Sequence, residues 1–141
     1  MEKQFREGVL KLCFAVISFC LLAIQTHGQS LQDSMVRGKQ IYTNECMTCH
    51  MENGEGIAGA FPPLANSDYF QNDVSKAVVA ILNGLEGELE VNEMTYYGVM
   101  DPVSLSDQEV ADVLNYIRNS WGGKAEELKA AEIQAMKKKS Q

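Results

Sequence analysis

Cys46-Met47-Thr48-Cys49-His50 is the most informative stretch of this chain of 141 residues. Two thiols three positions apart, with a histidine directly after the second, form the C-x-x-C-H pattern through which haem is attached covalently to a polypeptide. Residues at i and i+3 are neighbours on a helical turn, so both thiols can reach the vinyl groups on one porphyrin edge. The imidazole of His50 would then be the proximal ligand of the iron. The pattern predicts one covalently bound haem c.

The same two cysteines have other interpretations. In an exported chain they can form a disulfide, and the C-x-x-C spacing also occurs in redox dithiols and zinc sites. A zinc site needs four ligands, and the sequence after residue 28 has no other cysteine or histidine. A thioredoxin-like dithiol needs a βαβ frame, which the sequence pattern does not offer. The residues favour haem attachment over these alternatives.

The first 28 residues have the features of an export signal. Lys3, Arg6 and Lys11 make a positive start, residues 12–24 carry no charge, and Thr26-His27-Gly28 supplies small residues at the −3 and −1 positions of a cleavage site. The uncharged run is shorter than the ~20 residues that a membrane span needs. We therefore expect a signal peptide at 1–28 and a periplasmic protein, which is associated with the membrane only if this segment is retained.

The charge balance narrows the class of partner. Nineteen acidic against twelve basic residues give a formal net charge of −7. Because nucleic-acid binding calls for a basic stripe, we expect no nucleic-acid partner. An acidic surface is steered instead toward a redox partner protein with a basic docking face. The glutamates at 86, 88, 90 and 93 lack the Asp- or Asn-rich loop of a calcium site, so we expect a solvated acidic face there.

Hydrophobic periodicity predicts a first helix over residues 35–50, with Ser34 as its cap. A second helix is predicted over Val74–Asn83, capped by Asp73 and stopped by Gly84.

A third helix opens at the capping box Ser106-Asp107-Gln108-Glu109 and ends at Gly122-Gly123. Its apolar stripe is expected to be buried and consists of Val110, Val113, Leu114, Ile117 and Trp121. Residues 86–100 alternate and contain glycines, which indicates extended chain or loop. The tail, 123–141, is rich in Ala, Glu and Lys and has no obvious core face, so we expect an exposed or frayed helix.

Four pieces of the chain, in the same order, resemble the class I c-type cytochromes of the small bacterial monohaem kind. They are G-K-Q-I-Y ahead of C-M-T-C-H, the glycine loop leading into F-P-P-L-A, V-N-E-M-T-Y-Y-G-V-M-D-P, and L-S-D-Q-E-V-A-D-V-L-N-Y-I-R-N-S-W-G. The resemblance runs from about Ser34 to Gly122. It implies an all-α cytochrome c fold over 29–122, with three main helices and long loops wrapped around one covalently bound haem c. A buried haem would also compensate for the thin core that so few helices supply.

The resemblance implies a close crossing of the first and last helices at a glycine beside an aromatic residue. Gly38 and Tyr42 match those positions and would face Val113 and Tyr116. The absence of a Cβ is what lets two backbones approach that closely.

The resemblance also implies that a proline carbonyl accepts the second ring N–H of the proximal histidine. Pro62 matches that proline best, with Pro63 as a possible substitute. Such a hydrogen bond would orient the imidazole of His50 and raise its basicity.

For the second axial ligand the resemblance points to Met100, in the loop before the last helix. The family pattern there is Met-Pro, whereas in this chain Asp101 intervenes before Pro102. Met94 is the runner-up. Three aromatics either line the haem crevice or are ordinary core residues: Tyr96, Tyr97 and Trp121.

The resemblance implies a periplasmic one-electron carrier that passes electrons between a donor and an oxidase or reductase. With His/Met ligation no open iron site remains, so we expect no catalytic residues and no enzyme. The alternative is a haem c subunit or accessory electron acceptor of an alcohol or sugar dehydrogenase complex, with the tail as a docking helix. An open-site haem sensor or peroxidase ranks third.

Overall fold

The computed structural model describes residues 30–71 and 73–139. The chain divides after Asp33 into two units. Residues 30–33 are helical, and the description below concerns the second unit, from Ser34 onward. The signal peptide predicted at 1–28 lies outside the described residues. Within the described part, no helix combines the length and apolar character that crossing a membrane requires.

The first helix of this unit is less regular than the sequence predicted. Helix α1 (residues 34–41) continues through a π-helical turn, Tyr42–Cys46, into the short helix α2, Met47–His50. Ser34 is not its cap, because the residues before it are already helical. Its buried hydroxyl donates instead to Asp112 Oδ1 (2.6 Å).

The second predicted helix is present with the predicted bounds. After a single turn, α3 (Asp68–Gln71), helix α4 spans Val74–Asn83. Asp73 caps it, since its carboxylate accepts from the backbone N–H of Ser75 (3.0 Å). Gly84 ends the helix at φ 78°, a left-handed conformation that glycine adopts without strain.

Residues 86–100 correct the all-α prediction. They form most of an antiparallel hairpin, β1 (Leu85–Val91) and β2 (Met94–Met100), so the fold is helical with one small two-stranded sheet. Alternation along β1 exposes the glutamates and turns Leu85, Leu89 and Val91 inward.

The hairpin turn is fastened to the rest of the fold. Asn92 and Glu93 form it with positive φ angles of 51° and 62°, which match the right-handed twist of the strands. Asp68 and Asn92 each accept from the other's backbone N–H, at 2.8 and 3.0 Å. An isolated two-stranded hairpin is marginally stable, so these two bonds to α3 help to hold it in place.

Helix α5 (Asp107–Asn119) provides the centre of the core. Its predicted capping box, Ser106 with Glu109, is present. The helix ends at Asn119, three residues before the predicted glycine stop. Four residues of the predicted stripe are buried and Trp121 is half-buried; the four are Val110, Val113, Leu114 and Ile117.

The tail has a core face that the sequence did not reveal. It contains helix α6 (Ala130–Lys139), and both Leu128 and Ile133 are buried in the main hydrophobic cluster. Asn115 on α5 is fully buried and binds the tail backbone: its amide donates to the Leu128 carbonyl (2.9 Å) and accepts from the Leu128 N–H (2.7 Å). The tail therefore belongs to the same compact unit as the helices.

Candidate functional site

The site is built on the crossing of α1 and α5. A Cβ at Gly38 would overlap the carbonyl oxygen of Asp112 and lie 2.9 Å from the Cβ of Tyr116. The two backbones are therefore in direct contact at this glycine, as the family resemblance implied. The nearest partners are Asp112 and Tyr116, and Val113 points into the core.

A cluster of hydrogen bonds around Asp112 stabilises the same crossing of α1 and α5. Arg37 binds Asp112 with two guanidinium nitrogens, at 2.6 and 2.8 Å, and Ser34 and Gln108 also donate to that carboxylate. Burial raises the pKa of the Asp112 carboxyl, but the hydrogen bonds from Arg37, Ser34 and Gln108 outweigh burial, and the net pKa is lowered. The carboxylate is therefore ionised at neutral pH although only 3% of its side chain is exposed.

Three aromatic rings pack against one another next to α2, the helix that carries His50. The Tyr42 ring lies 5.4 Å from that of Tyr116 and 5.5 Å from that of Trp121, measured between centroids. Tyr42 donates its hydroxyl to the Met51 carbonyl (2.7 Å), just beyond His50. Burial raises the pKa of Tyr42, so the phenol remains a donor. These contacts fix the position of the α2 end that carries His50.

Cys46 and Cys49 are half-buried free thiols. Both line a cavity of about 460 Å³ together with His50. Burial raises the pKa of the Cys46 thiol to about 11, with further contributions from Glu45 and Cys49, so this cysteine is a neutral thiol rather than a thiolate. The structure thus brings the three chemical groups of the motif to one cavity wall without a disulfide between the cysteines.

His50 is buried and has one defined tautomer. Its Nδ1 lies 2.9 Å from the Pro62 carbonyl oxygen, which can only accept, so Nδ1 carries the proton and donates it. Burial lowers the pKa of His50, and the hydrogen bond to Pro62 opposes that shift only in part. The imidazole is therefore neutral, with its lone pair on Nε2, which is the form that binds a metal ion. Pro63 makes no such bond.

A folded-back loop places the Pro62 carbonyl. The backbone of Gly54 accepts from Leu64 and Ala65 (2.8 and 2.9 Å), and Gly56 donates to the His50 carbonyl (3.1 Å). A Cβ at Gly56 would overlap the Phe61 carbonyl oxygen, and its φ is 62°. Glycine at this position is therefore required both by space and by conformation.

Met100 lies on the hairpin side of the same cavity. It is half-buried at the end of β2, and it also lines a smaller apolar cavity of about 70 Å³ that includes Cys46 and His50. Met94, at the other end of β2, is 44% exposed and lines neither cavity. The structure therefore brings Met100 and not Met94 together with the motif.

The segment after Met100 accommodates the inserted Asp101. Asp101, Pro102 and Val103 all line the larger cavity. The Val103 N–H donates to the carbonyl of Ile81 on α4 (2.7 Å), which fixes the loop before α5. Of the predicted aromatics, only Tyr96 lines this cavity, whereas Tyr97 is 66% exposed.

The donor set and the cavity fit haem c. A volume of about 460 Å³ lies within the ~300–1,000 Å³ typical of ligand and cofactor sites. Two thiols and a neutral imidazole on the motif helix, with a thioether on the hairpin, supply attachment points and nitrogen and sulfur ligands for one iron porphyrin. Among the described residues, no group of three or more His, Cys, Asp or Glu is placed to hold a bare metal ion.

Comparisons with known proteins agree with this chemistry. The chain is 42% identical over 90 residues to cytochrome c-552 of Thermus thermophilus, covering 60% of this chain and 68% of that protein. It is 38% identical over 93 residues to the cytochrome c subunit of the quinone alcohol dehydrogenase of Gluconacetobacter polyoxogenes, covering 64% of this chain and 20% of the subunit.

A further relative is the cytochrome c subunit of gluconate 2-dehydrogenase of Pantoea cypripedii, with 29% identity over 100 residues, covering 66% of this chain and 22% of the subunit. The chain thus spans only about a fifth of the length of the dehydrogenase subunits. The sequence pattern of the family described as cytochrome c matches residues 35–121. Since that match covers more than half of the chain, this protein belongs to the cytochrome c family, a family of electron-transport proteins whose cofactor is covalently bound haem c.

Proposed function

We propose that this chain is a one-electron carrier in which Cys46 and Cys49 hold the haem and His50 and Met100 ligate its iron. The observation that carries the proposal is the shared cavity, because the two thiols, the imidazole and one methionine thioether all line it. The haem supplies a ferric/ferrous couple when bound, and the protein supplies attachment, ligands and a low-dielectric surrounding.

Each residue has a distinct task. Each of the two thiols would add across one porphyrin vinyl group, with its sulfur and its hydrogen bonding to the two vinyl carbons, and the two thioethers would fix the orientation of the ring. His50 offers Nε2 because Pro62 holds the proton on Nδ1. Met100 favours the ferrous state and raises the reduction potential. His50 and Met100 together would leave no open coordination site on the iron for a substrate, so electron transfer rather than catalysis is the proposed activity.

The proposed compartment is the periplasm, on the strength of the signal predicted at 1–28. The proposed partners are redox proteins with a basic docking face, because the chain carries a net charge of −7.

A potentiometric titration of the purified holoprotein tests this proposal. We expect reversible one-electron reduction, haem that remains attached after denaturation and organic extraction, and no carbon monoxide binding to the ferrous protein at neutral pH. Haem that is lost on extraction contradicts the thioether bonds. Ready carbon monoxide binding contradicts the closed coordination and favours a sensor or peroxidase.

The second candidate is a haem c subunit or accessory acceptor of a dehydrogenase. The relatives named as dehydrogenase cytochrome c subunits motivate it. The tail does not support it as a free docking helix, because Leu128 and Ile133 are already buried against the chain's own core. Gel filtration of a native extract separates the two: a haem-containing peak at the size of the monomer supports the carrier, and co-elution with a large dehydrogenase supports the subunit.

A further inference from the structure

The outer face of the hairpin combines acidic and apolar side chains. Glu86, Glu88 and Glu90 occupy alternate positions of β1 and are all exposed. The strand register places Val99 opposite Glu86 and Tyr97 opposite Glu88. We call these five residues the hairpin face.

The apolar members of the hairpin face are unusually open to solvent. Tyr97 is 66% and Val99 67% exposed, the two highest values among the exposed large hydrophobics of the described residues. The Tyr97 hydroxyl donates to Glu88 (3.1 Å), which holds the ring across the strand pair. A fixed aromatic and a branched aliphatic side chain beside a row of three carboxylates have the composition of an interaction surface rather than of a surface selected only for solubility.

The hairpin face is also continuous with the cofactor cavity. Glu86, Glu88 and Val99 line the cavity that contains His50 and Met100. A molecule that contacts the hairpin face therefore lies next to the edge of the cavity. Because electron transfer weakens steeply with distance, this face is a short route between the cofactor and a partner.

We propose that the hairpin face is the surface through which electrons enter and leave, and that its partner presents lysine or arginine side chains around an apolar recess that receives Tyr97 and Val99. This inference rests on the proposed electron-carrier function and adds to it the location of docking and the chemistry of the partner.

Charge complementarity supports that partner. Alternate residues of a strand are about 6.6 Å apart, less than the Debye length of ~8 Å at physiological ionic strength, so the three carboxylates reinforce one another. Neither ion pair of the described residues neutralises them: Arg37 binds Asp112, and Lys137 binds Asp107. The hairpin face therefore attracts cations while the rest of the acidic surface is partly compensated.

Two small redox reagents of opposite charge locate the route without a known partner. The test measures reduction of the ferric holoprotein by hexaammineruthenium(II), a cation, and oxidation of the ferrous protein by hexacyanoferrate(III), an anion, in a stopped-flow instrument at low and high salt. The double variant Glu86→Gln/Glu88→Gln should slow the ruthenium reaction about threefold or more at low salt and accelerate the hexacyanoferrate reaction. Both effects should fade at high salt.

The direction of the two rate changes distinguishes an effect on docking from an effect on the reduction potential of the iron. Removing two negative charges near the iron raises its potential, which alone would accelerate reduction and slow oxidation, the reverse of the proposed result. The matched control is Glu126→Gln/Glu132→Gln in the C-terminal segment, which changes the net charge equally and should leave both rates unchanged. Equal effects of the two double variants, or none, overturn the inference. If neither reagent exchanges electrons with the unaltered protein, the proposed function itself has failed.

A coated electrode tests the apolar part of the hairpin face. A gold surface bearing mixed amine and methyl groups imitates a basic partner with an apolar recess, and cyclic voltammetry measures the protein adsorbed in electroactive form. Tyr97→Ser should lower that amount severalfold and leave both solution reactions unchanged, whereas Val36→Ser, which removes an exposed apolar side chain from α1, should have no effect. Equal adsorption of the Tyr97→Ser variant and the unaltered protein contradicts the apolar contact.

Discussion

Two methionines occupy the ends of strand β2, and only one of them faces the cavity. Met100 lines both the large and the small cavity beside His50, whereas Met94 is exposed near the hairpin turn. The choice between them as iron ligand is therefore open to a direct comparison of two equal truncations.

Met100→Ala should retain covalent haem, because Cys46, Cys49 and His50 are unchanged. The thioether that favours ferrous iron is lost, so the reduction potential should fall on the order of 0.1 V, and carbon monoxide should bind the ferrous protein readily. Met94→Ala should change neither property. Spectroelectrochemical titration of both variants measures the difference, and the opposite pattern would exchange the two assignments.

Gly38→Ala should destabilise the holoprotein by about 1–3 kcal/mol, as overpacking in a close contact usually does. The added Cβ would overlap the Asp112 carbonyl, so α1 and α5 must move apart. Urea unfolding monitored by far-UV circular dichroism measures the change. Gln40→Ala, at an exposed position of the same helix, is the control and should stay within ~0.5 kcal/mol of the unaltered protein.

Single residues show where sequence reasoning works and where it does not. The C-x-x-C-H motif is recognisable from its residues alone, whereas the roles of Gly38 and Pro62 follow from the family resemblance. Neither route selects Asp112 or Asn115, because an acid and an amide on a helix normally indicate its solvent side. Apart from Gln108, which binds Asp112 from four residues away, the hydrogen-bond partners of these two side chains lie 13 to 81 residues away in the chain, and no local pattern records contacts of that range.

At the scale of elements, the C-terminal segment depends on Asn115. The Asn115 amide and the backbone of Leu128 form a reciprocal pair of hydrogen bonds, which joins the C-terminal segment to α5.

Asn115→Ala should lower the free energy of unfolding by about 2–4 kcal/mol, because it leaves the buried N–H and C=O of Leu128 without partners. Amide hydrogen exchange should accelerate most in α6. Gln134→Ala, at an exposed position of α6, controls for truncation. If exchange in α6 is no faster in Asn115→Ala than in this control, the hydrogen bonds do not hold the segment.

The α1–α5 contact should make stability depend on acid pH through Asp112. Its folded pKa is lowered, so the unfolded state binds more protons, and the stabilisation is present above the unfolded pKa and is lost as the pH falls through the folded one. Urea unfolding between about pH 5 and pH 2 should show this loss. Asp112→Asn should be less stable at neutral pH and have a flatter acid profile, whereas the exposed control Glu126→Gln should keep the original slope.

The predictability of elements follows the strength of their local signals. Helices α4 and α5 have caps and apolar periodicity, and the sequence located both. The hairpin is predicted only as extended chain or loop, because four glutamates and two glycines in the fifteen residues 86–100 weaken the strand signal. The tail's sequence indicates an exposed or frayed helix, because Leu128 and Ile133, five residues apart, are its only buried apolar residues in the described part of the chain.

At the scale of the whole molecule, we expect the stability of the fold to depend on the bound cofactor. About 460 Å³ beside His50 is far too large for side chains to close by small adjustments. Cys46→Ala/Cys49→Ala should therefore reduce covalent haem to near zero and lower the midpoint of thermal unfolding by roughly 10–20 °C, the equivalent of a few kcal/mol in a domain of this size. Far-UV circular dichroism measures the midpoint of thermal unfolding. The control Thr48→Ala, between the two cysteines, should have the same midpoint as the unaltered protein.

The π-helical turn Tyr42–Cys46 fixes the number of residues between the positions that face α5 and the C-x-x-C-H motif. Upstream, Ser34, Gly38 and Tyr42 are spaced by four and face α5; downstream, the two cysteines and His50 face the cavity. Each residue of an α-helix turns the following ones by about 100°. Deleting one residue between Gly38 and Cys46 would therefore rotate the whole motif away from the cavity while every side chain of the motif stayed intact. Among diverging copies of this gene, we expect substitutions in that interval to accumulate and insertions or deletions to be absent.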